Sequence, residues 1–338
     1  MAIREISFAS ANGRDTVKGW VYTPIKPPRA IVQLVHGFGE HSRRYLHMIS
    51  AFQEAGFVVY ADDHIGHGKT GFDSGTLGDP GTTGMVDGYE IYLKDERALH
   101  DMAVKDYPGL PYFMFGHSWG SMIARGYAAK YGEDIKGLLL CGLVSGLKGC
   151  DLTLNDPAFE AAITDGHGGD SGLEWMGKVF VGMTERFADA ASPNDWIAND
   201  SRVVLDHAND PFNCFDVNIQ LLFDLVKLYG YIEDPTWAEN VPSSIPVYLI
   251  SGDLSEQESE QLPEQESELE QVLQELRVRE FFFSGTPAAT TARASTMWPI
   301  CWPKAATAPQ FAPTAATATR YTTSAQYATR SCRASWTS

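Results

Sequence analysis

The chain is short of positive charge, of cysteine in any ordered spacing and of long apolar runs, and each shortage removes a class of function. Its 26 Lys and Arg stand against 43 Asp and Glu, a formal charge of −17. That balance repels phosphate backbones and anionic membrane surfaces, so nucleic acid is excluded as a partner. No stretch approaches the run of about 20 apolar residues that a transmembrane helix needs. The opening MAIREISFAS lacks both a basic start and an apolar core. The expectation is a cytoplasmic protein with no secretory signal and no transmembrane segment. The five cysteines, at 141, 150, 214, 301 and 332, are odd in number and show no metal-ligand spacing, which fits reduced structural thiols. What remains is ordinary: 338 residues, 44% apolar and 20% charged, enough for a sizeable core in one large domain with an insertion.

Strand and helix patterns alternate along the chain. Residues 3–8 and 16–22 alternate around Asn12 and Gly13, which predicts a hairpin. After a Pro-rich linker at 24–28, apolar runs at 30–35 and 57–60 end in HGFGEH and ADDHIGHG. Residues 89–107 and 119–131 read as helices, and 112–115, 137–141 and 245–250 as strands. The alternation indicates an α/β fold with a mostly parallel central sheet and flanking helices, whose sites sit at the carboxyl ends of its strands. The region 145–244 has another texture, aromatic and rich in Asp and Gly, with helical patches at 173–187 and 215–229. It is read as a helical cap inserted between two sheet strands. Its Trp175, Phe180, Trp196, Phe212 and Phe215 either line a lipophilic entrance or pack the cap's own core. The division is then core at 1–144 and 245–285, cap at 145–244, and a tail at 286–338.

The segment PYFMFGHSWGSMIAR, residues 111–125, says most about function. It reads as a buried strand, a tight turn at Ser118 and a helix, the layout of a nucleophile elbow. Gly116 and Gly120 flank the serine where a Cβ would clash as a strand reverses sharply into a helix, which lifts the hydroxyl out of the sheet top. The bare Gly-x-Ser-x-Gly pattern is weak by itself. Its context is stronger, because Met122, Ile123 and Tyr127 continue as a packed helix to a stop at Gly132. An unassisted serine hydroxyl is a poor nucleophile, so acyl transfer needs a histidine to take its proton and a carboxylate to orient that histidine. IPVYLISGD carries a strand directly into Asp253, where an orienting carboxylate belongs; the alternative is a plain turn aspartate. Charge developing on a carbonyl oxygen also needs two backbone N–H donors. Trp119 offers one, and the loop HGFGEH offers the other from Phe38, with Gly37 and Gly39 permitting close approach.

HGFGEHSRRY, DDHIGHGKTGFDSG, DYPGLPYFMFGHSWG and the SGD after a late strand together resemble the monoacylglycerol lipase and lysophospholipase branch of the α/β-hydrolases, also described as serine aminopeptidase-like. The likeness is strong over residues 3–145, good at the SGD strand, and confined to position and length in the cap. It implies an α/β-hydrolase fold with a helical cap, Ser118 as nucleophile, Asp253 as triad acid, and Phe38 and Trp119 as oxyanion donors. It also implies no metal or organic cofactor and, as substrate, a small acyl ester or a lipid such as a monoacylglycerol or lysophospholipid. By the same resemblance His36, His64, His67 and His117 shape loops and pack under the site. Peptide hydrolysis, acyl transfer to an alcohol, and a binding protein that keeps the pocket without the base stay open. Oligomeric state is not legible.

In that branch the triad follows the chain order serine, acid, histidine, with the histidine after the last strand. Here no histidine follows His207. Ser267 and Glu270 form a capping box, Leu269, Val272, Leu273 and Leu276 make one apolar helix face, and 278–283 fits a last strand. Residues 286–338 then contain no Asp, Glu, His, Leu or Val and are dominated by Ala and Thr, unlike a folded domain of ordinary composition. The expectation is a tail read out of frame, because the oddity starts where the histidine loop belongs. The codons of Thr-Pro-Ala-Ala-Thr-Thr from Thr286, read two nucleotides later, take the form xCC, xGC, xGC, xAC, xAC, which permits a His-Asp pair. The rivals are a low-complexity disordered tail on an inactive relative and recruitment of another histidine such as His207. Without its base the chain as written is expected to keep only a residual activity, about 10³ to 10⁴ above water.

Overall fold

The computed structural model describes residues 2–183, 192, 194–198, 200–213 and 215–250. Its frame is a seven-stranded sheet in the order β1-β2-β4-β3-β5-β6-β7. The strands are β1 (Ala2–Ala9), β2 (Thr16–Thr23), β3 (Ala30–Val35), β4 (Phe57–Asp63), β5 (Tyr112–His117), β6 (Gly137–Cys141) and β7 (Val247–Ile250). β1 and β2 form the expected antiparallel hairpin, β2 pairs antiparallel with β4, and every pairing from β4 through β3, β5 and β6 to β7 is parallel. The helices are α1 (Leu46–Glu54), α2 (Gly68–Ser74), α3 (Tyr89–Asp106), α4 (Trp119–Tyr131), α5 (Lys148–Leu154), α6 (Pro157–Thr164), α7 (Leu173–Val179), α8 (Ser201–Asn209) and α9 (Ile219–Glu233).

β3 and β4 are buried along their whole lengths, as continuous apolar strands covered on both faces should be. Side chains alternate between the faces. Ile31, Val35, Val58, Tyr60 and Met114 join α3 and α4 residues such as Leu93, Leu99, Ile123 and Tyr127 in one core. Val32, Leu34, Val59, Ala61 and Phe115 join Met48 and Ile49 of α1 in the other. Both layers serve to hold the carboxyl ends of β3, β4 and β5 rigidly side by side.

Helices α5 to α9 all fall between β6 and β7, so the inserted region is helical as expected, though divided more finely than its patches suggested. The helix expected from 215 starts at Ile219, because the Asn218 side chain accepts a hydrogen bond from the Leu221 N–H at 2.9 Å and caps it there. The 173–187 patch is helical only over Leu173–Val179; residues 184–187 lie outside the described residues. So do Asp253, the helix expected around 267–280, the strand expected at 278–283 and the tail. Cys141 and Cys150 are buried. Among the described residues no helix is long and apolar enough to cross a membrane.

Candidate active site

Ser118 sits at the junction of β5 and α4 with φ 53° and ψ −121°. It is the one non-glycine residue at positive φ among the described residues, and such backbone strain persists only where the surroundings fix it. They do so here on both sides. The Ser118 N–H donates to the Cys141 carbonyl of the neighbouring strand end at 2.9 Å, and the Ser118 carbonyl accepts from the Ser121 N–H at 2.8 Å. A Cβ at Gly116 would stand 2.3 Å from the Gly120 carbonyl oxygen, and one at Gly120 would stand 2.2 Å from the Val35 oxygen and 2.5 Å from the His36 oxygen. The two glycines therefore let the start of α4 rest directly on the end of β3.

That contact brings the HGFGEH loop beside the serine. A Cβ on Gly37 would lie 3.3 Å from the Ser118 Cβ, and the rings of Phe38 and Trp119 meet edge to face with centroids 5.7 Å apart. Trp119 opens α4, so its N–H has no intrahelical partner by position. The structure thus places Ser118, Phe38 and Trp119 together, in an arrangement that suits attack on a carbonyl whose oxygen faces backbone N–H groups.

Glu40 and Tyr45 belong to this loop's machinery, although sequence reasoning gave neither a role. The Gly37 N–H donates to Glu40 Oε1 at 2.8 Å, the Tyr45 hydroxyl donates to the same oxygen at 2.5 Å, and His117 Nδ1 lies 3.3 Å from it. Tyr45 Oη also lies 2.6 Å from His117 Nδ1. Burial alone would raise the Glu40 carboxyl, but His117, through hydrogen bond and charge, and the Tyr45 hydroxyl outweigh it and bring it down to about 2. A charged carboxylate therefore fixes the loop in front of Phe38 from within. The signal was present in the sequence as the Glu of HGFGEH, but its partner stands 77 positions away.

The other motif histidines are internal fittings. His36 is buried; its Nδ1–H donates to the Gly37 carbonyl at 2.8 Å and its Nε2 accepts from the His64 N–H at 3.0 Å. Burial, reinforced by the neighbouring His64 and His67, holds its pKa well below the ordinary value. His67 is pushed down to about 3, chiefly by burial, and its ring lies against Trp119 with centroids 5.1 Å apart. His207, on α8, faces Asn213 with Nδ1 3.1 Å from the Asn213 Nδ2. Of the inserted aromatics, Phe180 reaches Phe38 with centroids 5.5 Å apart and Phe215 reaches His67 at 5.4 Å. Trp175 instead stacks on Phe159 at 4.0 Å, a contact within the insertion's own core. Among the described residues the group able to hold a metal ion is not at Ser118; it is Asp62, His64 and Glu96.

The family model for serine aminopeptidase, S33, matches residues 26–256. A monoacylglycerol lipase of Mycolicibacterium smegmatis is 38% identical over 138 residues, 41% of this chain and 46% of that protein. The chain spans under half the length of the curated lipases it matches in this way. Among solved structures, a highly thermostable carboxyl esterase from Bacillus coagulans, in complex with glycerol, is 48% identical with a TM-score of 0.74, covering 82% of this chain and 88% of that one. A lipase in its open form is 36% identical with a TM-score of 0.73 over the same shares.

Proposed function

We propose, from the premise that this chain belongs to the serine aminopeptidase S33 family of hydrolases, that it is built to cleave carboxylic esters of the monoacylglycerol, lysophospholipid or small-acyl class through a Ser118 acyl-enzyme. The observation that carries the reading is Ser118 at positive φ between two glycines that no Cβ could replace, set beside the Phe38 loop. The similarity to a carboxyl esterase over most of the chain supports the ester as substrate. In this reading Ser118 attacks the acyl carbon, the N–H groups of Phe38 and Trp119 receive the developing oxyanion, and Asp253 orients the base. Residues 145–244 act as a cap, with Phe180 and Phe215 on its acyl-facing side. The base is supplied by the other reading frame after Phe283, so the chain as written lacks it. The family's name for amide chemistry keeps aminopeptidase activity as the second reading.

The test is fluorophosphonate labelling joined to a panel of p-nitrophenyl esters, monoacylglycerols and aminoacyl amides. In chain restored to the other frame after Phe283, labelling is expected at Ser118 and lost in Ser118→Ala, with esters cleaved faster than amides. Label that survives Ser118→Ala removes Ser118 from the mechanism. Amides cleaved faster than esters make the chain a peptidase.

A further inference from the structure

β4 ends in two aspartates whose situations are opposite. Asp63 is fully engaged: its Oδ1 accepts from the Ser42 N–H at 2.9 Å and the Ser42 hydroxyl at 2.7 Å, and its Oδ2 accepts from the Lys69 N–H at 2.7 Å. Asp62 points to the other face of the sheet, is 0% exposed, and neither of its oxygens has a hydrogen-bond partner. A buried carboxylate with both oxygens unmatched calls for a positive partner.

Two further electron-pair donors meet it. Glu96, on α3, is also 0% exposed. Its Oε2 accepts from the Gln33 Nε2, whereas its Oε1 has no hydrogen bond. His64 sends Nε2 to the His36 carbonyl at 3.3 Å. A carbonyl can only accept, so Nε2 carries the proton and Nδ1 presents a lone pair. That Nδ1 lies 3.3 Å from Glu96 Oε1 and 3.8 Å from Asp62 Oδ2. The ligand atoms of all three residues fall within 4.8 Å of one another.

We propose that Asp62, His64 and Glu96 form a structural site for one divalent ion of the zinc class. The donors around a tetrahedral zinc, each bonded at about 2.0 to 2.2 Å, stand about 3.3 to 3.5 Å apart, which is the spacing His64 Nδ1 keeps with the nearer carboxylate. The second free oxygen of Asp62 adds a fourth contact by chelation, which distorts the tetrahedron because both oxygens belong to one carboxylate. Two carboxylates and a dication leave no net charge in a site shut off from water. The outer hydrogen bonds are those a zinc site uses: His64 Nε2–H on a carbonyl, and Gln33 on the far oxygen of Glu96, itself held by the Tyr112 hydroxyl. An imidazole and four donors disfavour Ca²⁺ and Mg²⁺, which take six or more oxygens. The ion would tie α3 to the end of β4. Through His64, whose ring stacks on His36 with centroids 3.8 Å apart, it would also steady the start of the HGFGEH loop. The site is independent of the ester-hydrolase reading.

The rival occupant is protons, one on Glu96 and one on His64. Metal analysis of the untagged full chain, grown with added zinc and passed through gel filtration, separates the two. About one zinc per chain is expected, falling at least about fivefold in Asp62→Asn and in Glu96→Gln. Cobalt-loaded wild-type chain should show a visible tetrahedral band without thiolate charge transfer, and a chelator should lower the melting temperature of wild type only. Wild-type chain holding less than about a tenth of an ion, with no cobalt band, assigns the cluster to protons and overturns the proposal. A thiolate band, or zinc retained in both variants, places the ion elsewhere and overturns it equally. The wild-type measurements decide even where a variant fails to fold.

Discussion

At Gly120 a single methyl group would reach within 2.2 Å of the Val35 oxygen, and at Gly116 within 2.3 Å of the Gly120 oxygen. Both obstacles are backbone, so neither can step aside. Gly116→Ala and Gly120→Ala are each expected to cost about 3 kcal/mol, read as a lower urea midpoint at unchanged slope. Gly39 is a control for conformation alone: at φ +69° with open space around it, Gly39→Ala should cost only about 1 kcal/mol. Equal losses at all three positions would remove the steric argument. Glu40 gives a second residue-scale prediction. Its folded pKa of about 2 lies below the ordinary 4.5, so its contribution to stability is present above about pH 4.5 and lost as pH falls toward 2. Glu40→Gln should therefore flatten the acid side of the stability profile. Denaturant titrations at pH 3 and pH 6 measure this, and an equal loss for wild type and variant at pH 3 would refute it. The serine and its glycines were legible in the sequence because their constraint is local. Glu40 was not, because its role depends on Tyr45 and on His117 brought in from another strand.

Among elements, the sheet was legible and the insertion only in part. β3 and β4 are the continuous buried runs their apolar sequences read as, whereas β2, read as alternating, is buried without a break from Gly19 to Tyr22. α4 runs from Trp119 to Tyr131 as its sequence reads. α5 and α6 were not foreseen, being helices of seven and eight residues whose apolar positions are too few to set a period. α9 shows what holds the insertion to the core. Its Gln220 accepts from the Gly84 N–H at 2.9 Å and donates to the Met85 carbonyl at 2.9 Å. Asp224 accepts from the Thr82 hydroxyl at 2.5 Å and from Gln220 at 2.8 Å. Burial nevertheless dominates and raises Asp224 from 3.8 to about 8. With a folded pKa above the unfolded one, its contribution is full below about pH 4 and is lost as pH rises toward 8. Asp224→Asn should remove that slope. Urea unfolding at pH 5 and pH 8 should then show the variant gaining on wild type as pH rises; a parallel decline in the two would refute the assignment.

For the molecule as a whole, the described sheet ends at β7, which pairs with β6 on one side and with no described strand on the other. The family match ends at residue 256, shortly beyond β7, and the composition turns abnormal only at 286. Between these limits the sequence still carries the pattern of a capped amphipathic helix and of a strand, so the departure in composition begins at one point rather than fading along the chain. A gradual loss of function by drift would scatter substitutions through the core. In this chain the elbow, the Phe38 loop and the layer under them are closely packed against one another. The proposed single shift of frame after Phe283 would account for both the ordinary front and the aberrant end. Chain restored to the other frame is expected to label with fluorophosphonate at least about a thousand-fold faster than chain as written, with Ser118→Ala silent in both. Equal rates would mean that a histidine already described, His207 among them, acts as the base, and a pH–rate profile of His207→Gln would then identify it. Coding DNA that yields no histidine in either alternative frame after Phe283 would leave an inactive relative with a preserved pocket as the remaining reading.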